Sequence, residues 1–163
     1  MSKEIVQDRF NKLIERANPS DLATIERLLK GIERQVEEPK QSWLSSLFDL
    51  HTDISEESLK MTIPISEITH NSLGILHGGM TTTLIDSAMG TMANKLAKEG
   101  FAAVTTQLNI HFTAPGIGKN VTADVHIIHH GQTTMVLGSS AKLENGKQIA
   151  YATASFAFIP KSW

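Results

Sequence analysis

The stretch His70-Asn71-Ser72-Leu73-Gly74-Ile75-Leu76-His77-Gly78-Gly79-Met80-Thr81-Thr82-Thr83-Leu84-Ile85-Asp86 decides how this 163-residue chain is read. It opens with turn formers, passes two adjacent glycines and runs into an apolar segment of helical period. Between residues 79 and 98 the apolar positions include Leu84, Ile85, Ala88, Met89, Met92, Ala93, Leu96 and Ala97. So wide a stripe predicts a largely buried helix. Glu99-Gly100 stops it.

On either side of that helix the period changes to two. Leu59, Met61 and Ile63 alternate with Lys60, Thr62 and Pro64, which predicts one strand before it. Four strand-like runs follow, near 102–113, 121–130, 133–143 and 148–159. Ala114-Pro115-Gly116, His130-Gly131 and Asn145-Gly146 separate them. Asn-Gly predicts a type I′ hairpin, in which both central residues take positive φ. A long buried helix followed by an antiparallel meander is an α+β layout, with the sheet on one face of the helix.

Residues 1–40 have a different texture. They are densely charged, with apolar residues at Ile5, Phe10, Leu13 and Ile14, then at Leu22, Ile25, Leu28, Leu29 and Ile32. Spacings of three and four predict two amphipathic helices. Asn18-Pro19-Ser20-Asp21 separates them, with Ser20 or Asp21 as cap of the second. A short helix is expected near 43–47. The expected organisation is a helical extension at 1–40 and a main domain at 41–163.

Composition narrows the function. With 40% hydrophobic and 20% charged residues, the chain can bury a real core. Fifteen basic against seventeen acidic residues give a net charge of −2, which leaves no positive excess for nucleic acid. The chain contains no cysteine, so disulfides, thiolate nucleophiles and thiolate metal sites are excluded. Charges recur every few residues from the N-terminus, and no run approaches the roughly 18 apolar residues of a membrane helix. A soluble cytoplasmic protein without a membrane partner is expected.

The order of motifs resembles the hotdog-fold thioesterases, specifically the phenylacetate-degradation (PaaI-like) type. Asn71 lies six residues before His77-Gly78-Gly79, and Asp86 lies eight after Gly78. The strand Val104-Thr105-Thr106-Gln107-Leu108-Asn109-Ile110 and the Ala114-Pro115 turn also fit, so the resemblance spans roughly 59–160. It implies a hotdog fold and hydrolysis of acyl-coenzyme A thioesters by a homodimer that assembles to a homotetramer. Coenzyme A would be part of the substrate, with no separate cofactor and no metal.

The residues themselves agree with that chemistry. Two glycines at a helix start let a ligand approach the backbone, where amides are unpaired and the helix dipole is positive. Such donors stabilise a thioester carbonyl as it becomes an oxyanion. The resemblance gives this role to the Gly78 amide, although a glycine there could also serve only a tight turn. Asp86 stands among Leu84, Ile85, Ala88 and Met89, where a carboxylate is costly unless something uses it. The implied role of Asp86 is to activate water as general base or to attack as nucleophile. Its alternatives are a solvent-reaching edge residue or a structural hydrogen bond in a dimer seam.

Asn71 would donate to the carbonyl or orient the loop, and Thr105 would help Asp86 hold water. Each also has a plain reading, as a turn asparagine and a strand threonine. Thr106 points to the opposite sheet face from Thr105. The resemblance places His77, Gly79, Thr106, His130, Gly131 and Gln132 against the substrate, with His77 fixing the loop rather than acting as base. Met89, Met92, Ala93 and Phe112 are apolar candidates for the acyl pocket.

Helix geometry adds one expectation. Eight residues of helix separate Gly78 from Asp86 by about 12 Å. A donor and a base acting on one carbonyl must each come within roughly 3 Å of a reacting atom or its water. Two chains would therefore share each site.

Other signals carry less. His129 and His130 face opposite sides of a strand and His126 lies about 13 Å from His130, so one metal cannot use all three. Gly116-Ile117-Gly118-Lys119 lacks P-loop spacing, and Gly138-Ser139-Ser140-Ala141 lies mid-strand rather than at a nucleophile elbow. The competing reading is a non-catalytic acyl-CoA sensor whose N-terminal helices relay the signal. A hotdog hydratase would want a histidine base in a differently built loop.

Overall fold

The computed structural model of the protein describes residues 2–39, 42–56 and 58–161. It divides into two compact units after Phe48. The first contains helices α1 (Lys3–Arg16), α2 (Pro19–Glu37) and α3 (Trp43–Leu47). Neither Ser20 nor Asp21 is the N-cap of α2. Asn18 is, because Pro19 takes the first helical position, where its missing N–H costs nothing. The Asn18 side chain accepts from the Ser20 and Asp21 amides at 2.8 and 3.0 Å, and Asp21 accepts in return from the Asn18 amide at 3.0 Å.

Helix α3 docks against α2 at Gly31, where an added Cβ would stand 2.7 Å from the Ser46 carbonyl oxygen. The Ser46 hydroxyl donates to Gln35 at 2.9 Å in the same buried contact. The first compact unit ends at Phe48, and residues 40 and 41, where the domain boundary is expected, lie outside the described residues.

The second unit holds β1 (His51–Ile54), β2 (Leu59–Pro64), α4 (Gly78–Leu96), β3 (Phe101–Phe112), β4 (Asn120–His130), β5 (Thr134–Leu143) and β6 (Gln148–Pro160). They form the α+β hotdog arrangement: one six-stranded sheet in the order β1-β2-β4-β5-β6-β3, every pairing antiparallel, with α4 against one face. Leu84, Ile85, Ala88, Met89, Met92 and Ala93 of α4 are fully buried against inward residues such as Leu59, Val125, Leu137 and Phe156. Met89, Met92 and Ala93 are therefore core side chains and not the wall of an acyl pocket.

Strand β3 needs a bulge to serve this core. Its register against β6 slips between Thr105 and Gln107, leaving Thr106 as the extra residue. Ala103 packs against the core before the slip, and Leu108 and Ile110 after it. Strict alternation would have turned Leu108 and Ile110 outward, so the extra residue lets one strand keep both halves of its apolar face inward. The Asn145-Gly146 turn also differs from expectation. Only Gly146 has positive φ, at 82°. The loop is the three-residue Glu144-Asn145-Gly146, closed by Gly146 N–H to the Leu143 carbonyl at 2.9 Å, with glycine in the left-handed position.

Candidate active site

The loop before α4 is built by its own polar groups. Asn71 accepts on Oδ1 from the Leu73 amide at 2.8 Å and the Ile75 amide at 3.4 Å. Its backbone N–H donates to the Ile75 carbonyl at 2.8 Å, and Gly74 turns the chain at φ 71°. The side-chain oxygen of Asn71 thus orients the loop, while among the described residues its Nδ2 group has no partner. The His77 amide then donates to the Thr69 carbonyl at 2.8 Å, fixing where the helix starts.

His77 is the N-cap of α4, and its ring decides which amides stay free. Nδ1 accepts from the Gly79 amide at 2.8 Å, which places the proton of the neutral ring on Nε2. The His77 carbonyl accepts from the Met80 and Thr81 amides at 3.0 and 3.1 Å. Every N–H of the first turn is then paired except that of Gly78, which has no acceptor among the described residues.

Close approach accounts for Gly79, whereas a side chain on Gly78 would crowd only the exposed Phe112 ring. A Cβ on Gly79 would stand 2.9 Å from His77 Nδ1, and one on Gly78 would stand 3.3 Å from the Phe112 ring. The next three residues, Thr81, Thr82 and Thr83, donate their hydroxyls to the carbonyls of His77, Gly78 and Gly79.

Two turns further along, Asp86 is half-buried on the flank of α4. Its Oδ1 accepts from the Thr105 hydroxyl of β3 at 3.0 Å, which leaves the second oxygen without a partner among the described residues. Thr106, in the bulge, instead donates to the Ser155 carbonyl at 3.0 Å. His130, Gly131 and Gln132 form a third group at the β4–β5 turn. They line a 230 Å³ pocket with Lys98 and Phe158, and the His130 ring meets Phe158 edge-on at 6.0 Å. Leu96, at the end of α4, lines that pocket too. It is thus about 27 Å along the helix from Gly78.

Within one chain, the expected site residues therefore form three groups. Asn71, His77, Gly78 and Gly79 gather at the start of α4, Asp86 with Thr105 at its middle, and residues 130–132 near its end. Lys98 carried no signal in the sequence, since a lone lysine after a helix is an ordinary surface residue.

A helix crossing one antiparallel sheet is the hotdog arrangement, and here it carries an amide at its start that is unpaired among the described residues and a threonine-bound aspartate on its flank. The chain belongs to the thioesterase superfamily, which its residues 73–150 match. It is 37% identical to mouse acyl-coenzyme A thioesterase 13 over 78 residues, 47% of this chain and 55% of that one, so it spans about half the length of that relative. It is 31% identical to the putative esterase PA1618 of Pseudomonas aeruginosa, over 64% of this chain and 73% of the relative. The structure of the BH2602 protein of Bacillus halodurans with CoA superposes at a TM-score of 0.86 with 30% identity, covering 93% of this chain and 99% of that one.

Proposed function

We propose that the chain hydrolyses acyl-coenzyme A thioesters at a site shared by two copies of itself. The observation that carries the proposal is the pair of groups on α4: one unpaired amide at Gly78 and one carboxylate, Asp86, anchored by a hydroxyl on a single oxygen. The thioesterase-13 name of one relative and the CoA in one similar structure support the substrate class. The thioester carbonyl accepts from the Gly78 N–H. Water held by the free oxygen of Asp86 attacks the carbonyl carbon and passes its proton to the carboxylate. The tetrahedral oxyanion is held by the Gly78 amide and the positive end of α4. Its collapse breaks the C–S bond, and the thiolate of coenzyme A leaves with the electron pair and recovers the proton.

Eight helical residues hold Gly78 and Asp86 about 12 Å apart in one chain, so the carbonyl on one chain's amide meets its partner's aspartate. The test is thiol release from short, medium and aromatic acyl-CoAs by wild type and Asp86→Asn. The variant should lose at least about a hundredfold in turnover and keep its affinity for coenzyme A. Near-normal turnover in the variant would remove Asp86 from the mechanism. No turnover in wild type with affinity retained would favour the sensor.

A further inference from the structure

Phe112 is the last residue of β3 and is 55% exposed beside the loop that leads into α4. Its ring lies against the backbone of Gly78, with Cζ 3.3 Å from where a Cβ would stand. A cleft of about 420 Å³ opens there, between the start of α4 and the turn that follows β3. Ile75, Phe112, Pro115 and Ile149 are among its lining residues, which include no charged side chain. Whatever is bonded to a carbonyl held by the Gly78 amide must enter or flank this cleft. We propose that the cleft takes the acyl group, that it selects uncharged apolar acyl groups over carboxylated ones, and that Phe112 is the residue setting this preference.

Two physical terms give the selectivity. An alkyl or aryl acyl group leaves water for the flat face of Phe112 and the aliphatic groups around it. A second carboxylate, as in a succinyl group, would lose its hydration there with no cation among this chain's lining residues to replace it. Neither term needs a particular chain length. The inference rests on the acyl-CoA reading above, and the experiment separates the two.

Hexanoyl-, acetyl-, butanoyl- and succinyl-CoA are compared as substrates, and the matching non-hydrolysable thioethers as ligands. Wild type should prefer hexanoyl to acetyl and butanoyl to succinyl by kcat/KM and by thioether affinity. Phe112→Ala should cut the hexanoyl-to-acetyl ratio about tenfold. Phe112→Arg supplies a cation beside the cleft and should raise the succinyl-to-butanoyl ratio at least about tenfold, a gain that misfolding cannot imitate. Ratios unchanged within twofold in both variants overturn the assignment of Phe112. So does a wild type that takes succinyl as well as butanoyl, or one that binds no thioether. Thioether binding that follows Phe112, with no hydrolysis of any ester, would uphold the cleft and sink the thioesterase reading instead.

Discussion

At the residue scale, His77 shows how one side chain prepares another residue's backbone. Its Nδ1 takes the Gly79 N–H and its carbonyl takes those of Met80 and Thr81, so of the first-turn amides Gly78's is the one without a partner among the described residues. Removing the ring frees a second amide and loosens the turn that aims the first. His77→Ala should lower stability by about 1 kcal/mol, as loss of an N-cap does. It should also lower turnover more than coenzyme A affinity. His77→Asn offers a side-chain oxygen to the same turn and should restore most of both, measured by denaturant midpoints and kcat. If the asparagine variant regains stability but not turnover, the imidazole has a chemical role beyond capping. Asp86 is the opposite kind of residue, since nothing local requires it. A carboxylate on a helix whose neighbours Ile85, Ala88 and Met89 are fully buried was visible in the sequence as an anomaly. Its bond to Thr105 was visible only as one of two adjacent threonines.

At the element scale, the turns carry the chemistry that holds the strands in register. Glu144, in the β5–β6 turn, accepts from the Lys119 amide at 2.9 Å and the Asn120 amide at 3.3 Å, tying that turn to the start of β4. The Lys119 amide, then Glu144's own amide and that of Asn120, hold its carboxyl below the ordinary value of 4.5. Because the folded state favours the charged form, this clamp contributes stability above the ordinary glutamate range and loses it as pH falls through the lowered value. Glu144→Gln should therefore be less stable than wild type at neutral pH, with the gap closing as pH falls below the ordinary glutamate range. Urea melts across pH 3 to 7 would show it, and a pH-independent gap would mean the charge contributes nothing. Helix α4 and the strands from β2 to β6 were legible because each buries one face against a common core, which imposes a period on the sequence. Strand β1 was not, since all four of its residues are exposed and leave no period. The bulge at Thr106 was equally hidden, because a threonine suits either sheet face. Asn145-Gly146 misled because the pair also fits a three-residue loop, where the asparagine side chain accepts from the Lys147 amide at 3.0 Å and only the glycine needs positive φ.

At the scale of the whole molecule, the sheet ends unequally. β1 closes one edge with four residues, whereas β3 presents twelve at the other, without lysine or proline and with Phe101, Val104 and Phe112 partly exposed. A long uncharged edge is a template for another strand unless something covers it. Asn94 of α4 fills one rung by bonding both the N–H and the carbonyl of Ala103, at 3.0 and 3.2 Å, which leaves the stretch from Val104 to Phe112. That stretch begins beside Asp86 and Thr105 and ends against Gly78, so antiparallel pairing of two such edges would bring each chain's amide toward its partner's carboxylate. Two inactive variants should then rescue each other. Asp86→Asn removes the base of one chain. Gly78→Val drives a side chain into the Phe112 ring, since even a bare Cβ would stand at 3.3 Å, and so spoils the donor of the other. In a symmetric dimer each mixed pair holds one doubly defective site and one intact site. Equal mixing makes half the dimers mixed, so about a quarter of wild-type sites should return while each parent stays near background. Co-expression with two affinity tags isolates the mixed dimers and reads their thiol release directly. Mixed dimers that form and stay inactive would put donor and base in one chain's site, against the 12 Å or so that the helix sets between them.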